Sequence, residues 1–130
     1  MAKMIHSMIR VADAARSLEF YGRALGLSVR DRYDFDDFSL LYLRDAEGEF
    51  ELELTVNAGR DGYTIGDGYG HLAVSVADVE AEHARHTEAG LSPTPLKTLQ
   101  HQGRDLARFF FLTDPDGYKI EVLQRGGRYL

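Results

Sequence analysis

Two stretches of the chain carry the same alternation of apolar and polar positions and end on the same tripeptide. MIHSMIRVAD (4–13) and YGHLAVSVAD (69–78) each place a histidine at the head of a period-two run and close it with Val-Ala-Asp, His6 matching His71 at an offset of 65 residues. Period two predicts a strand in both places. Helical patterns follow. ADAARSLEFYGRAL has Asp13 as N-cap and apolar positions at Leu18, Tyr21 and Leu25; ADVEAEHARHTEAG has Asp78 as N-cap and Gly90 as its stop. Gly26-Leu27-Ser28 then matches Gly90-Leu91-Ser92 at an offset of 64.

Each half continues as three strands: VRDRYDF, FSLLYLRD and FELELTVN in the first, TPLKTL, ARFFFLTD and YKIEVLQ in the second. DAEGEFELEL and DPDGYKIEVL echo each other as an Asp- and Gly-rich turn feeding a strand that bears a carboxylate. The prediction is an α+β fold in which a βαβββ unit is duplicated, with modules at about 1–60 and 68–125 of a single domain spanning 1–130.

Composition limits what such a fold does. With 130 residues, 44% hydrophobic and 28% charged, the chain has the make-up of a soluble globular domain. No run approaches the roughly 18 apolar residues of a membrane span, and MAKMIHSMIR lacks the apolar core of a signal peptide, so a cytoplasmic location and no membrane partner are expected. A formal charge of -6 argues against non-specific nucleic-acid binding. With no cysteine, thiolate nucleophiles and zinc-thiolate sites are excluded, and a metal site must draw on His, Asp and Glu.

The duplicated strands offer such donors. Alternation puts His6, Met8 and Arg10 on one face, and His71, Ala73 and Ser75 on the matching face. Glu49, Glu51 and Glu53 share a face opposite Phe50, Leu52 and Leu54, while Lys119 and Glu121 oppose Ile120 and Val122. One histidine and one carboxylate from each half would give a divalent cation two imidazoles and two balancing charges. Glu49 and Glu51 read as a solvated face. Periodicity does not choose between Glu51 and Glu53, because they have the same parity.

In combination, MIHSMIRVADAARSLEFYGRALGL, ELTVN, YGHLAVSV and DPDGYKIEVL resemble the short bacterial form of the glyoxalase I (lactoylglutathione lyase) family, within the vicinal oxygen chelate superfamily. The resemblance covers nearly the whole chain. It implies a curved sheet built from the two βαβββ modules, and it implies His6, Glu53, His71 and Glu121 as the metal ligands. Glu53 matches because it opens Glu53-Leu54-Thr55-x-Asn57. By the same resemblance, Arg10 and Asn57 hold the glutamyl end of glutathione, and Arg85 falls where a basic residue reaches that carboxylate region in some members.

The implied reaction isomerises the methylglyoxal-glutathione hemithioacetal to S-lactoylglutathione through a cis-enediolate, with Glu121 as principal base and Glu53 able to share that role. Nickel is the implied metal, ahead of cobalt or zinc. The family also pairs its subunits, so a homodimer with sites at the subunit interface is implied. Other members of the superfamily, a metal-dependent epimerase or a metal-free drug-sequestering resistance protein, form the alternative.

One segment departs from the family pattern. Where members carry a short Gly- and Lys-containing loop, this chain has LKTLQHQGRDLARFFFL (96–112), with Lys97, Arg104 and Arg108 as candidate substrate-binding cations and His101 as a further possible contact. His83 and His86 read as exposed helix residues, and Tyr63, Tyr69 and Phe109 to Phe111 as core and pocket lining.

Overall fold

The computed structural model describes all 130 residues. Its elements run β1 (His6–Arg10), α1 (Ala14–Leu25), β2 (Ser28–Asp34), β3 (Phe38–Arg44), β4 (Glu51–Asn57), β5 (Leu72–Val76), α2 (Val79–Glu88), β6 (Lys97–His101), β7 (Arg104–Thr113) and β8 (Lys119–Gln124). They form two compact units, Met1–Thr64 and Ile65–Leu130. Each is a four-stranded mixed sheet, ordered β1-β4-β3-β2 in the first unit and β5-β8-β7-β6 in the second. In both, the first strand pairs parallel with the last, and the remaining pairs are antiparallel. The βαβββ duplication is therefore present element for element. No helix is long and apolar enough to cross a membrane.

The helices begin and end on chemistry that recurs. Asp13 accepts a hydrogen bond from the Arg16 amide at 2.9 Å, and Asp78 accepts one from the Ala81 amide at 2.9 Å, each satisfying an orphan donor of the first turn. At the other end the chain reverses through Gly26 (φ 69°) and Gly90 (φ 73°), in the left-handed region that glycine enters without cost.

Of the apolar positions predicted for α1, only Tyr21 is fully buried. Its packed stripe is Ser17, Phe20, Tyr21 and Ala24, with i, i+3, i+4, i+7 spacing. This stripe belongs to a unit whose strands bury Ile9, Leu41, Leu43, Leu52 and Leu54. In the second unit, Val79 and His86 of α2 belong with the buried Phe110, Leu112, Ile120 and Val122. Because side chains alternate along a strand, the residues of opposite parity face away from the helix.

Two turns repeat the Asp-Gly echo. Asp45 Oδ1 accepts from the Glu47 and Gly48 amides at 2.7 and 2.6 Å, and Asp114 Oδ1 accepts from the Asp116 and Tyr118 amides at 2.9 and 2.8 Å. Each aspartate ties its turn down and launches the final strand of its unit.

The segment that departs from the family pattern, between the predicted strands TPLKTL and ARFFFLTD, is the tip of a hairpin. β6 and β7 are joined by Gln102 and Gly103, with φ 52° and 76°, a two-residue connection whose paired positive φ angles suit the twist of the flanking strands. β7 pairs with β8 only from Phe109 onward, so its earlier residues and β6 form a two-stranded ribbon.

Candidate metal and substrate centre

In the first unit, β1 lies parallel to β4 with His6 in register with Glu51 and Met8 with Glu53. The imidazole nevertheless pairs on the diagonal: Nε2 of His6 lies 2.8 Å from Oε2 of Glu53. Glu53 is buried, at 8% exposure, whereas Glu51 is half-buried and Glu49 is exposed and held 2.8 Å from Lys3 Nζ. A carboxylate taken out of water needs a partner, and His6 supplies it. Geometry thus separates Glu53 from Glu51, which parity could not.

The second unit repeats the arrangement. Ala73 is in register with Glu121, and His71, two residues upstream, places Nε2 2.9 Å from Oε2 of Glu121. An aromatic ring stands at the same place in both. Tyr42, in register with Glu53, meets the His6 ring edge-on at 5.9 Å and 73°; Phe111, in register with Glu121, meets His71 at 5.4 Å and 73°. These rings limit the freedom of each imidazole. Sequence reading placed Phe111 only among core and pocket-lining residues and did not single out Tyr42, although the matched strands FSLLYLRD and ARFFFLTD carried the signal.

Burial first, then the charge of Glu53, push the Tyr42 phenol above its ordinary value. Tyr69 is also pushed up, by burial foremost, and its hydroxyl donates to the Lys119 carbonyl at 3.0 Å.

Each unit therefore presents one imidazole nitrogen and one carboxylate oxygen turned toward the same point. This donor set suits a borderline divalent ion such as nickel, cobalt or zinc, all of which accept nitrogen and oxygen. Neither unit gathers three or more His, Asp or Glu side chains into a metal-holding group of its own.

The remaining predicted residues fall into two sets. Arg10 ends β1 in register with Thr55, and Asn57 lies two residues further along β4 on the same face, the diagonal offset already seen for His6 and Glu53. Asn57 Nδ2 donates to the Tyr63 hydroxyl at 3.1 Å. Arg85 is placed differently. It sits on α2, where its Nη2 lies 2.7 Å from Glu82 and 3.1 Å from His86 Nε2. His86 rests against Phe110 at 5.6 Å, and Phe110 points to the opposite side of β7 from Phe111. Arg85 is thus on the helical side of the sheet that carries His71 and Glu121 on its other face.

Two sequence readings are corrected on α2. His86 is fully buried and His83 is half-buried, its Nε2 2.9 Å from the Thr94 carbonyl and its ring 5.0 Å from Phe110. α2 has few apolar residues, so its inward face is completed by imidazoles packed on an aromatic ring. Of the three candidate cations, Arg108 turns to the helix and binds Glu80 at 2.9 Å. Arg104 and the exposed His101 pair across the hairpin tip. Arg104 is seven residues, roughly 24 Å of strand, from Phe111. Lys97, in register with Phe109, shares the face of Phe111 and Glu121; the register shift at Leu106 brings the His101–Arg104 pair to that face too, but at the far tip of the hairpin.

Comparison with known proteins places the chain and its fold among relatives. The model of the Glyoxalase/Bleomycin resistance protein/Dioxygenase superfamily matches residues 3–122. A probable lactoylglutathione lyase of Synechocystis sp. is 34% identical over 134 residues, covering 96% of this chain and 97% of its own length. A lactoylglutathione lyase of Neisseria meningitidis is 34% identical over 128 residues, covering 95% and 91%. Among solved structures, the trypanothione-dependent glyoxalase I of Leishmania major superposes with a TM-score of 0.76 at 34% identity, covering 95% of this chain and 87% of its own.

Proposed function

Since the chain belongs to the Glyoxalase/Bleomycin resistance protein/Dioxygenase superfamily, we propose that it is a lactoylglutathione lyase: a divalent-metal isomerase that converts the methylglyoxal-glutathione hemithioacetal to S-lactoylglutathione. The observation that carries this reading is the pair of His–Glu contacts, His6 with Glu53 at 2.8 Å and His71 with Glu121 at 2.9 Å, placed alike in both modules. Relatives named for this activity, similar over almost their full length, support it.

The ligand set is His6, Glu53, His71 and Glu121, and the two modules work as one domain. Two copies of the chain pair so that His6 and Glu53 of one meet His71 and Glu121 of the other, giving a homodimer with two sites. Nickel is the preferred ion, and a cytoplasm, where low-molecular-weight thiols are kept reduced, is the setting. A divalent ion held there supplies electrostatic stabilisation where negative charge develops on two neighbouring substrate oxygens. Glu121 takes the proton from C1 and returns it to C2, and Glu53 shares that work. Arg10 and Asn57 hold the glutamyl end of the thiol. Arg85, on the helical side of its sheet, is left out of the binding set.

The test is thioester formation from preformed hemithioacetal by metal-stripped protein, re-supplied separately with nickel, cobalt and zinc. Turnover should depend on added metal and be highest with nickel. Glu53→Gln and Glu121→Gln should each reduce it by about 10²–10⁴-fold and weaken metal binding as well. Metal binding without turnover on any ion would remove the isomerase assignment.

A further inference from the structure

The loop leaving β4 folds back on the end of its own sheet. Gly59, at φ 75°, turns the chain, and the Arg60 amide reaches the Asn57 carbonyl at 3.4 Å. Tyr63 then does two things. Its hydroxyl receives the Asn57 Nδ2 proton at 3.1 Å, and its ring lies under the Arg60 guanidinium, 4.4 Å from centroid to carbon. Arg60 Nη2 also donates to the Gly62 carbonyl at 3.3 Å. A ring face and a carbonyl hold a guanidinium in place without neutralising it. The charge stays available on the exposed side of the loop.

We infer that Arg60 is a second anion-recognising cation at the Arg10–Asn57 end of the first unit, and that Tyr63 is the positioning residue that orients both Asn57 and Arg60 for a carboxylate of the thiol cosubstrate. This inference rests on the isomerase reading for the identity of the ligand. Its geometry stands on the loop itself. Turning Nδ2 toward Tyr63 fixes the amide, so that a substrate ammonium or amide can meet Oδ1 while carboxylate oxygens meet the arginines.

Length agrees. His6 and Arg10 lie four residues apart on one strand face, about 13 Å. An extended three-residue thiol spans at most about 10–11 Å, and the three-carbon adduct on its sulfur extends that reach toward the His6–Glu53 end. Sequence analysis placed Tyr63 among ordinary lining residues and did not single out Arg60.

The experiment compares two hemithioacetals of methylglyoxal, one with glutathione and one with uncharged N-acetylcysteamine, on the metal-loaded protein. For Arg60→Ala, the ratio of kcat/KM for the glutathione adduct to that for the neutral adduct should fall about tenfold, through KM rather than kcat. Tyr63→Phe keeps the ring and loses the hydroxyl, so the ratio should fall less, while Arg60→Lys should restore part of it. A loss equal on both substrates, or a fall in kcat alone, would show a structural role and overturn the inference.

Titration of the same proteins with S-methylglutathione separates the inference from the isomerase reading. If the wild type binds it and Arg60→Ala binds it about tenfold more weakly, the subsite stands even where turnover is absent. Unchanged binding in Arg60→Ala, or no binding by the wild type, would overturn it.

Discussion

At the scale of single residues, position in the sheet decides which carboxylate is held by a histidine and which by the chain terminus. Glu49, just before β4, is bound by Lys3, whose hydrogen bond and then charge hold its carboxyl below the ordinary value; Glu49 in turn holds the Lys3 ammonium above its own. The contribution from Glu49 is present above its unfolded pKa and is lost as pH falls through the folded one. The contribution from Lys3 is present below its unfolded pKa and is lost as pH rises through the folded one. The N-terminal anchor should therefore open at both extremes. Replacing Lys3 by Ala should move the Glu49 titration midpoint upward in a carbon-detected NMR titration; an unmoved midpoint would show that the contact does not form in solution. The same scale shows why sequence reading stalled between Glu51 and Glu53. Alternation supplies parity, whereas the choice depends on the diagonal across β1 and β4 and on burial, neither of which a single strand reveals.

At the scale of elements, the duplication was legible because its markers are local. An N-cap aspartate, a left-handed glycine and an Asp-anchored turn each act within a few residues, so they appear in the sequence where they act in the structure. If the two caps are equivalent, Asp13→Ala and Asp78→Ala should each cost about 1 kcal/mol, measured by denaturant unfolding. The hairpin was less legible. Gln102-Gly103 is an uncommon spelling of a two-residue turn, and polar residues on both sides hid the alternation of two exposed strands. Gly103→Ala, which forces a methyl-bearing residue to φ 76°, should destabilise by about 1 kcal/mol or more. Gly117→Ala should cost more, since its φ is 98° and an added methyl would stand 3.3 Å from Ile65 Cδ1. The buried His83 and His86 were missed for a related reason. Polar residues spaced along α2 look solvated until the ring of Phe110 is placed beneath them.

At the scale of the whole molecule, each module brings one His–Glu pair of the proposed ligand set, and neither gathers three or more such side chains into a metal-holding group of its own. Joining half-sites between copies makes a prediction that joining them within one chain does not. His6→Ala and His71→Ala should each be nearly inactive alone. Unfolded together and refolded, half of the dimers would be mixed, and each mixed dimer would carry one intact site beside one lacking both histidines. About a quarter of the wild-type rate should return. No recovery in a mixture shown to contain mixed dimers would place both half-sites in the same chain.

Tyr42 and Phe111 hold corresponding positions beside the two histidines, and they differ by one oxygen. The Tyr42 phenol stands in register with Glu53, whose charge helps to push its pKa up, while the ring beside Glu121 has no hydroxyl to offer. The two walls of the proposed site, alike in backbone, therefore differ in whether a hydroxyl stands beside the carboxylate. Methylglyoxal has no handedness, but the product of the proposed isomerisation gains a stereocentre, and a wall that carries a hydroxyl opposite one that does not makes the two faces of the intermediate unequal. In the proposed site, a copied module that differs by a single hydroxyl supplies the means to set left apart from right.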